Sequence, residues 1–383
     1  MEREAIYTEE SMEEIESTDW DFMGENTQMH LHSLHPYPAR IIPQIPARAI
    51  ELWSKKGDRV LDPFAGCGTT LLEAVIRGRN AVGVDNNPVA CLISSAKTAY
   101  YSEEDVKCLK DFLETLDAMI NSPDLIPSIP VYKNMEYWFA EEAIDELGKI
   151  RACIHTLEGK PRQMALCCLS AIIVRVSYQG SDTKYVRKVA DFVPGSGIKG
   201  YKAKLKSAIK CIEEINEKKT GKAEIIRADG RNLEAIGDST IELIVTSPPY
   251  LNAYDYHKYH RHRMQWIDGD VAFARDNEIG KHDTFTRKGA TPDKYFEDMA
   301  RCFSEWYRVL KEDAYCLIVV GDAMVRGEPR PVGDRCVEMM NAVGFTFRNR
   351  WIRSLDVNRK SFNQQARIKK EHVLLFKKMY NKL

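Results

Sequence analysis

Residues 59–85 read RVLDPFAGCGTTLLEAVIRGRNAVGVD. A short apolar run, Arg59-Val60-Leu61, predicts a strand, and Asn80 to Val84 predicts a second. Between them Thr69 to Arg77 predicts a helix, with Leu72, Val75 and Ile76 on one face. Strand, glycine turn, helix, strand is the start of a βαβ unit, and such units build a parallel sheet through right-handed crossovers. In the turn, Gly66 and Gly68 let the backbone bend tightly and approach a ligand, while the helix start offers unpaired N–H groups. Asp85 closes the second strand, where a carboxylate can accept both hydroxyls of a ribose. A tight turn with Asp85 as a plain helix cap is the competing reading. The chain lacks the Gly-x-x-x-x-Gly-Lys-Ser/Thr phosphate loop, and Leu71 stands where a dinucleotide fingerprint has its third glycine. A ligand with a ribose and no pyrophosphate fits this turn better.

Outward from this unit the same grammar resumes late in the chain. Residues 224–228 and 241–246 predict short strands, 293–310 an amphipathic helix, and 314–320 a buried strand. Residues 345–352 and 372–376 fit a closing antiparallel pair at the far edge of the sheet. Residues 102–219 follow another pattern, with three helical stretches, a proline break, a basic loop (SDTKYVRK to PGSGIKGYKAK) and a last charged helix. The expected fold is therefore α/β, a Rossmann-like doubly wound sheet formed by 29–101 and 220–383, carrying a helical insertion at 102–219. The proline-rich stretch 32–46 (HSLHPYPARIIPQIP) predicts an extended, ordered segment, followed by a short helix over 47–54.

The 383 residues, 44% apolar and 29% charged, have the balance of a soluble, core-forming chain of two domains or one domain with a large insertion. No apolar run approaches the ~20 residues that cross a bilayer, and the acidic start does not read as a secretory signal. A cytoplasmic protein is expected. The ten cysteines form no Cys-x-x-Cys pair, so neither a disulfide framework nor a zinc site is expected. The net charge of −1 divides unevenly: residues 1–25 carry −9 and the remainder +8. Residues 1–28 thus read as a solvated acidic arm on a mildly basic body.

Thr246-Ser247-Pro248-Pro249-Tyr250 follows the apolar strand IELIV. The two prolines fix φ and remove two N–H donors, leaving a stiff segment whose carbonyls face outward. With the Ser247 hydroxyl and the Tyr250 ring, the set suits a planar base bearing an exocyclic amine. Ser247 Oγ and the Pro248 carbonyl can accept the two amine protons while Tyr250 stacks. An aryl amine is a poor nucleophile because its lone pair is delocalised. Holding both protons out of plane would localise that pair and aim it at a carbon electrophile.

DPFAGCGTT together with SPPY resembles the S-adenosylmethionine-dependent amino-methyltransferases, specifically the DNA cytosine-N4 methyltransferases. The resemblance extends to HPYPARIIPQIP before the turn and to SPPYLNAYDYHKYHRHRMQWI after it, and the insertion matches nothing in that pattern. It implies that Tyr37, Asp62, Phe64, Gly66, Gly68, Thr69, Thr70, Asp85 and Asn86 bind S-adenosyl-L-methionine. Asp229 would meet the adenine amine, and Ser247, Pro248, Pro249 and Tyr250 would form the target-base site. The cofactor motif precedes SPPY here, unlike in circularly permuted members, and Cys67 stands where serine is commoner. No Pro-Cys dipeptide exists, so the covalent route to cytosine carbon 5 is not expected.

Such an enzyme must extrude its target base or act on a single strand. His257, Lys258, His260, Arg261 and Arg263, in HKYHRHR beyond the SPPY turn, are the expected phosphate contacts, with further cations in 178–204 and 348–370. No metal is expected. The resemblance further implies DNA as partner and leaves open a cognate restriction nuclease. Adenine N6 as acceptor, RNA as substrate, and a catalytically silent nucleic-acid-binding module stay open as rivals.

Overall fold

The computed structural model describes residues 19–252, 254–282, 291–325, 327–354 and 370–379. Most of the acidic arm and much of 348–370 lie outside these residues.

Seven strands form one sheet: β1 (Arg59–Asp62), β2 (Asn80–Asp85), β3 (Ala223–Arg227), β4 (Ile241–Thr246), β5 (Leu310–Gly321), β6 (Phe345–Ser354) and β7 (Lys370–Lys378). Their order is β6-β7-β5-β4-β1-β2-β3. All neighbours pair in parallel except β7, which runs against both β5 and β6. The late pair is thus antiparallel as expected, with β6 at the edge and β7 inside it.

All six residues of β4 are buried, as required of a parallel strand covered on both faces. Val60, Leu243, Val245 and Leu317 face one core with Ile45, Ile50 and Trp53 of α1 (Gln44–Trp53) and Leu71 and Val75 of α2 (Thr69–Ile76). Leu61, Ile244 and Ile318 face the other, with later helices Asp293–Val309 and Val332–Val343. Alternate residues of one strand thus serve opposite layers, which is the doubly wound plan. Helix α1 starts at Gln44 rather than at 47, because Pro46 sits in the first turn, where no backbone N–H is needed.

After α3 (Pro88–Thr98) the chain builds α4 (Glu103–Ile120), α5 (Glu141–Ile154), α6 (Gly159–Ile173) and α7 (Ser196–Ile215) before re-entering the sheet at β3. Ser102 and Asp105 form a reciprocal capping box that fixes the start of α4. These helices share one apolar core with α3, through Ile93, Leu147, Leu169 and Ile212, and it reaches Met264 and Trp266 beyond the SPPY turn. Part of the expected basic loop is a small antiparallel hairpin, Gln179–Ser181 with Lys184–Arg187. Among the described residues no helix is long and apolar enough to cross a membrane, and no cluster of three or more His, Cys, Asp or Glu is placed to hold a metal ion.

Candidate active site

The site is assembled where β1, β2 and β4 end. Past β1 the chain turns through Gly66 (φ 49°) and Gly68 (φ 70°), both left-handed. A Cβ on Gly68 would also stand 2.9 Å from Ser94 on α3, so the turn demands glycine there on two counts. Ala65 N donates to Val84 O at 2.9 Å, and Ser94 Oγ donates to Gly66 O at 2.9 Å. Asp85 accepts from Gly66 N and from Asn87 N, each at 2.8 Å. Its carboxylate therefore pins the turn while keeping a lone pair on each oxygen.

Asp62 is buried and accepts from Thr246 Oγ1 at 2.7 Å and from Phe64 N at 3.1 Å. The Thr246 bond fastens the end of β1 to the end of β4, and so the glycine turn to the SPPY turn. Burial pushes both the Asp62 and the Asp85 carboxyls up to about 6, against the hydrogen bonds that favour their charged forms.

A pocket of about 870 Å³, counted to its open mouth, lies between the two turns. Of the expected cofactor residues, Tyr37, Asp62, Phe64, Gly66, Thr69, Asp85 and Asn86 line it; Ser247 and Pro249 join them from the SPPY turn. Gly68 caps α2 behind the wall, and Thr70 is buried with its hydroxyl beside Asp62, whose charged form it favours. Asp229 departs from expectation: its carboxylate is held by Arg231, at 2.7 Å from Nη2 and 2.9 Å from Nε, and Gly230 stands on the wall instead. Asp229 thus sits one residue behind the wall, oriented by Arg231, with lone pairs left on its oxygens.

Sequence reading missed Arg40, Tyr256, Asn277 and Glu278, which also line the pocket. Glu278 accepts from Tyr256 N at 2.6 Å and His257 N at 3.1 Å, and pairs with the His257 ring, so it anchors the chain returning past SPPY. Among the described residues, three carboxylates (Asp62, Asp85, Glu278) line the pocket with one arginine and no lysine. That balance disfavours a phosphate ligand and suits a cation with hydroxyl donors, which fits the sulfonium and ribose of S-adenosylmethionine.

Ser247 Oγ donates to Val319 O at 3.2 Å, which leaves its lone pairs as acceptors. Tyr295 Oη donates to Pro249 O at 3.0 Å and stiffens the turn. Tyr250 does not line the cofactor pocket. Its hydroxyl donates to Glu371 Oε1 at 2.9 Å, Arg353 Nη1 donates to Glu371 Oε2 at 2.6 Å, and Arg353 Nε donates to Trp20 O at 2.8 Å.

The HKYHRHR run turns largely inward. His257, His260 and Arg263 are buried: Tyr37 stacks on His260 at 4.8 Å, and Arg263 donates to Ser170 O at 3.0 Å and pairs with Asp182. Burial holds the His260 imidazole well below its usual range, hence neutral. These three are packing and positioning groups here. Of the expected phosphate contacts, Arg261 is exposed and Lys258 partly so. The helical spacing of Tyr256, His260 and Arg263 was the available signal, since i, i+4 and i+7 share a face.

A doubly wound sheet brings a glycine turn, an acid at the next strand end and an SPPY turn around one pocket, an arrangement of the α/β class. Residues 2–96 and 241–383 match the DNA methylase family of the N6/N4 type, and the chain belongs to it. It is 26% identical over 282 residues to the Type II methyltransferase M.MvaI of Kocuria varians, covering 64% of this chain and 60% of that protein. Over 288 residues it is 26% identical to the Type II methyltransferase M.BsoBI of Geobacillus stearothermophilus, covering 66% and 55%. The chain thus spans little more than half the length of these relatives. A TehB-like SAM-dependent methyltransferase from Corynebacterium glutamicum overlays on 87% of this chain and 86% of its own, at 11% identity and a TM-score of 0.32, too loosely to carry anything further.

Proposed function

We propose that this chain transfers a methyl group from S-adenosylmethionine to the exocyclic N4 amine of cytosine in DNA, as the modification partner of a restriction nuclease. The observation that carries the reading is the Asp62–Thr246 bond, which fixes the cofactor-type turn and the base-type turn on adjacent strand ends around one pocket.

Tyr37, Phe64, Gly66, Thr69, Asp85 and Asn86 would hold the cofactor, with Asp85 on the ribose. When bound, the cofactor supplies an electrophilic methyl on a sulfonium. Ser247 Oγ, which spends its proton between Val319 O and the Tyr250 hydroxyl, would accept a hydrogen bond from one amine N–H. The Pro248 carbonyl, buried just behind the pocket wall, would accept from the other amine N–H, and the Tyr295 bond to Pro249 O keeps the turn stiff beside it. Tyr250, held by Glu371, offers its ring to the base. Positioning of the amine and a preorganised pair of acceptors do the work, and no enzyme nucleophile is needed. Serine at 247, where adenine enzymes carry Asn or Asp, supports cytosine. The relatives' names support a restriction-modification setting.

The test is incubation with methyl-labelled cofactor and mixed genomic DNA, then nucleoside mass spectrometry. Label in N4-methylcytosine is expected. Label in N6-methyladenine would overturn the base, and label only in RNA would overturn the substrate.

A further inference from the structure

A second concavity, of about 1950 Å³ counted to its open rim, lies between the 33–40 segment and the helical unit. It meets the active-site pocket at Tyr37 and Arg40, which line both. Arg40, Arg175, Lys188 and Lys204 line it, and its one acid among the described residues, Asp182, is paired with the buried Arg263. Arg175 and Lys188 are exposed, and Lys204 is half-buried on α7. Gln179, 95% buried on the groove wall, spends its amide nitrogen on the carbonyls of Ser181 (2.9 Å) and Tyr259 (3.3 Å). That fixes the amide's orientation and ties the groove wall to the segment beyond the SPPY turn.

We propose that this groove carries the sugar–phosphate backbone of the target DNA strand beside the extruded nucleotide, with Arg175, Lys188 and Lys204 on successive phosphates. The inference rests on the DNA methylase reading above and assigns the strand's path to the helical unit, where HKYHRHR, buried in its larger part, cannot supply it. Four cations against no unpaired acid form a polyanion track, and phosphate contacts set register without reading sequence. Extrusion needs the backbone held firmly next to the pocket that receives the base. Continuity through Tyr37 and Arg40 provides that placement.

The test measures binding of a random-sequence DNA duplex across a salt series by the full chain and by an Arg175→Ala, Lys188→Ala, Lys204→Ala triple variant. Each lost phosphate contact lowers the slope of log affinity against log salt by about 0.9, so a fall of about 2–3 and a loss of roughly tenfold or more at low salt are expected. Cofactor affinity, read by calorimetry, should not move. Lys188→Glu alone, on an exposed position, gives the same direction should the triple variant fold poorly. Lys55→Ala, at the opposite end of β1, should match the parent. Parental slope and affinity in the triple variant and in Lys188→Glu would overturn the groove. If DNA is still methylated in that case, the functional reading survives it. A reduced slope without any DNA methylation supports the groove and removes the proposed reaction. Tighter binding of matched RNA than DNA by the parent overturns the strand assignment.

Discussion

Thr246→Val keeps the shape of a fully buried side chain and removes one donor, the hydroxyl 2.7 Å from Asp62 Oδ1. Above the Asp62 pKa of about 6 the lost bond is to a charged, buried carboxylate, a class that contributes about 1.5–3 kcal/mol. For 383 residues the unfolding entropy is about 0.8 kcal/mol/K, so a loss of about 2 kcal/mol lowers Tm by about 2–3 °C. At about pH 5 the carboxyl is protonated in both proteins, and the missing bond is a neutral one contributing about 1 kcal/mol. The variant's Asp62 also titrates higher, having lost a group that favours its charge. The penalty therefore grows as pH rises through 6 and levels off above the variant's pKa. Thermal melts of the cofactor-free protein at about pH 5 and pH 8 read this directly. An equal loss at both pH values, or a larger one in acid, would refute the view that Thr246 stabilises a charged Asp62 between the two turns.

Two further outcomes follow from the site. Tyr250→Ala should raise KM for DNA about 5- to 150-fold, the range of one lost stacking partner, while cofactor affinity holds and Tyr250→Phe recovers most of the loss; equal losses for DNA and cofactor would count against a base-stacking role. Gly68→Ala combines a left-handed φ with a Cβ 2.9 Å from Ser94. It should destabilise by about 1–2 kcal/mol or more and weaken cofactor binding; a parental melt and parental calorimetry would show the turn to be tolerant.

The sheet was legible because its strands are short apolar runs between breakers: residues 241–246 were bounded by Thr240 and Pro248, and β4 spans that range. The start of α4 carried a signal the reading did not use, since Ser102-x-x-Asp105 is a capping pair that the structure shows closed. The start of α1 was misplaced because a proline in a first helical turn looks like a breaker until the helix is seen. The turns that line the pocket stood out by composition. Glu278 and Asn277 did not, because nothing local marks a loop residue that meets the site only through tertiary packing. Arg263 misled for the same reason: its partner Asp182 lies 81 positions away, and a buried ion pair of that span looks like surface charge in a one-dimensional reading. Asp229 read as a ligand acid on its own, and the sequence did not show that Arg231, two residues on, orients it while Gly230 takes the wall position.

Tyr250 takes its hydroxyl partner from Glu371, Glu371 takes Arg353, and Arg353 takes the carbonyl of Trp20. The ring that would face the base is thus aligned by three stretches of chain that never meet the base. Such a relay couples these positions in energy: removing Arg353 or Glu371 alone strands a buried charge, at about 3–5 kcal/mol, whereas replacing both together costs far less. The aim of the ring is therefore set by a network spanning residues 20 to 371, so a distant single change can misdirect it without touching the SPPY turn.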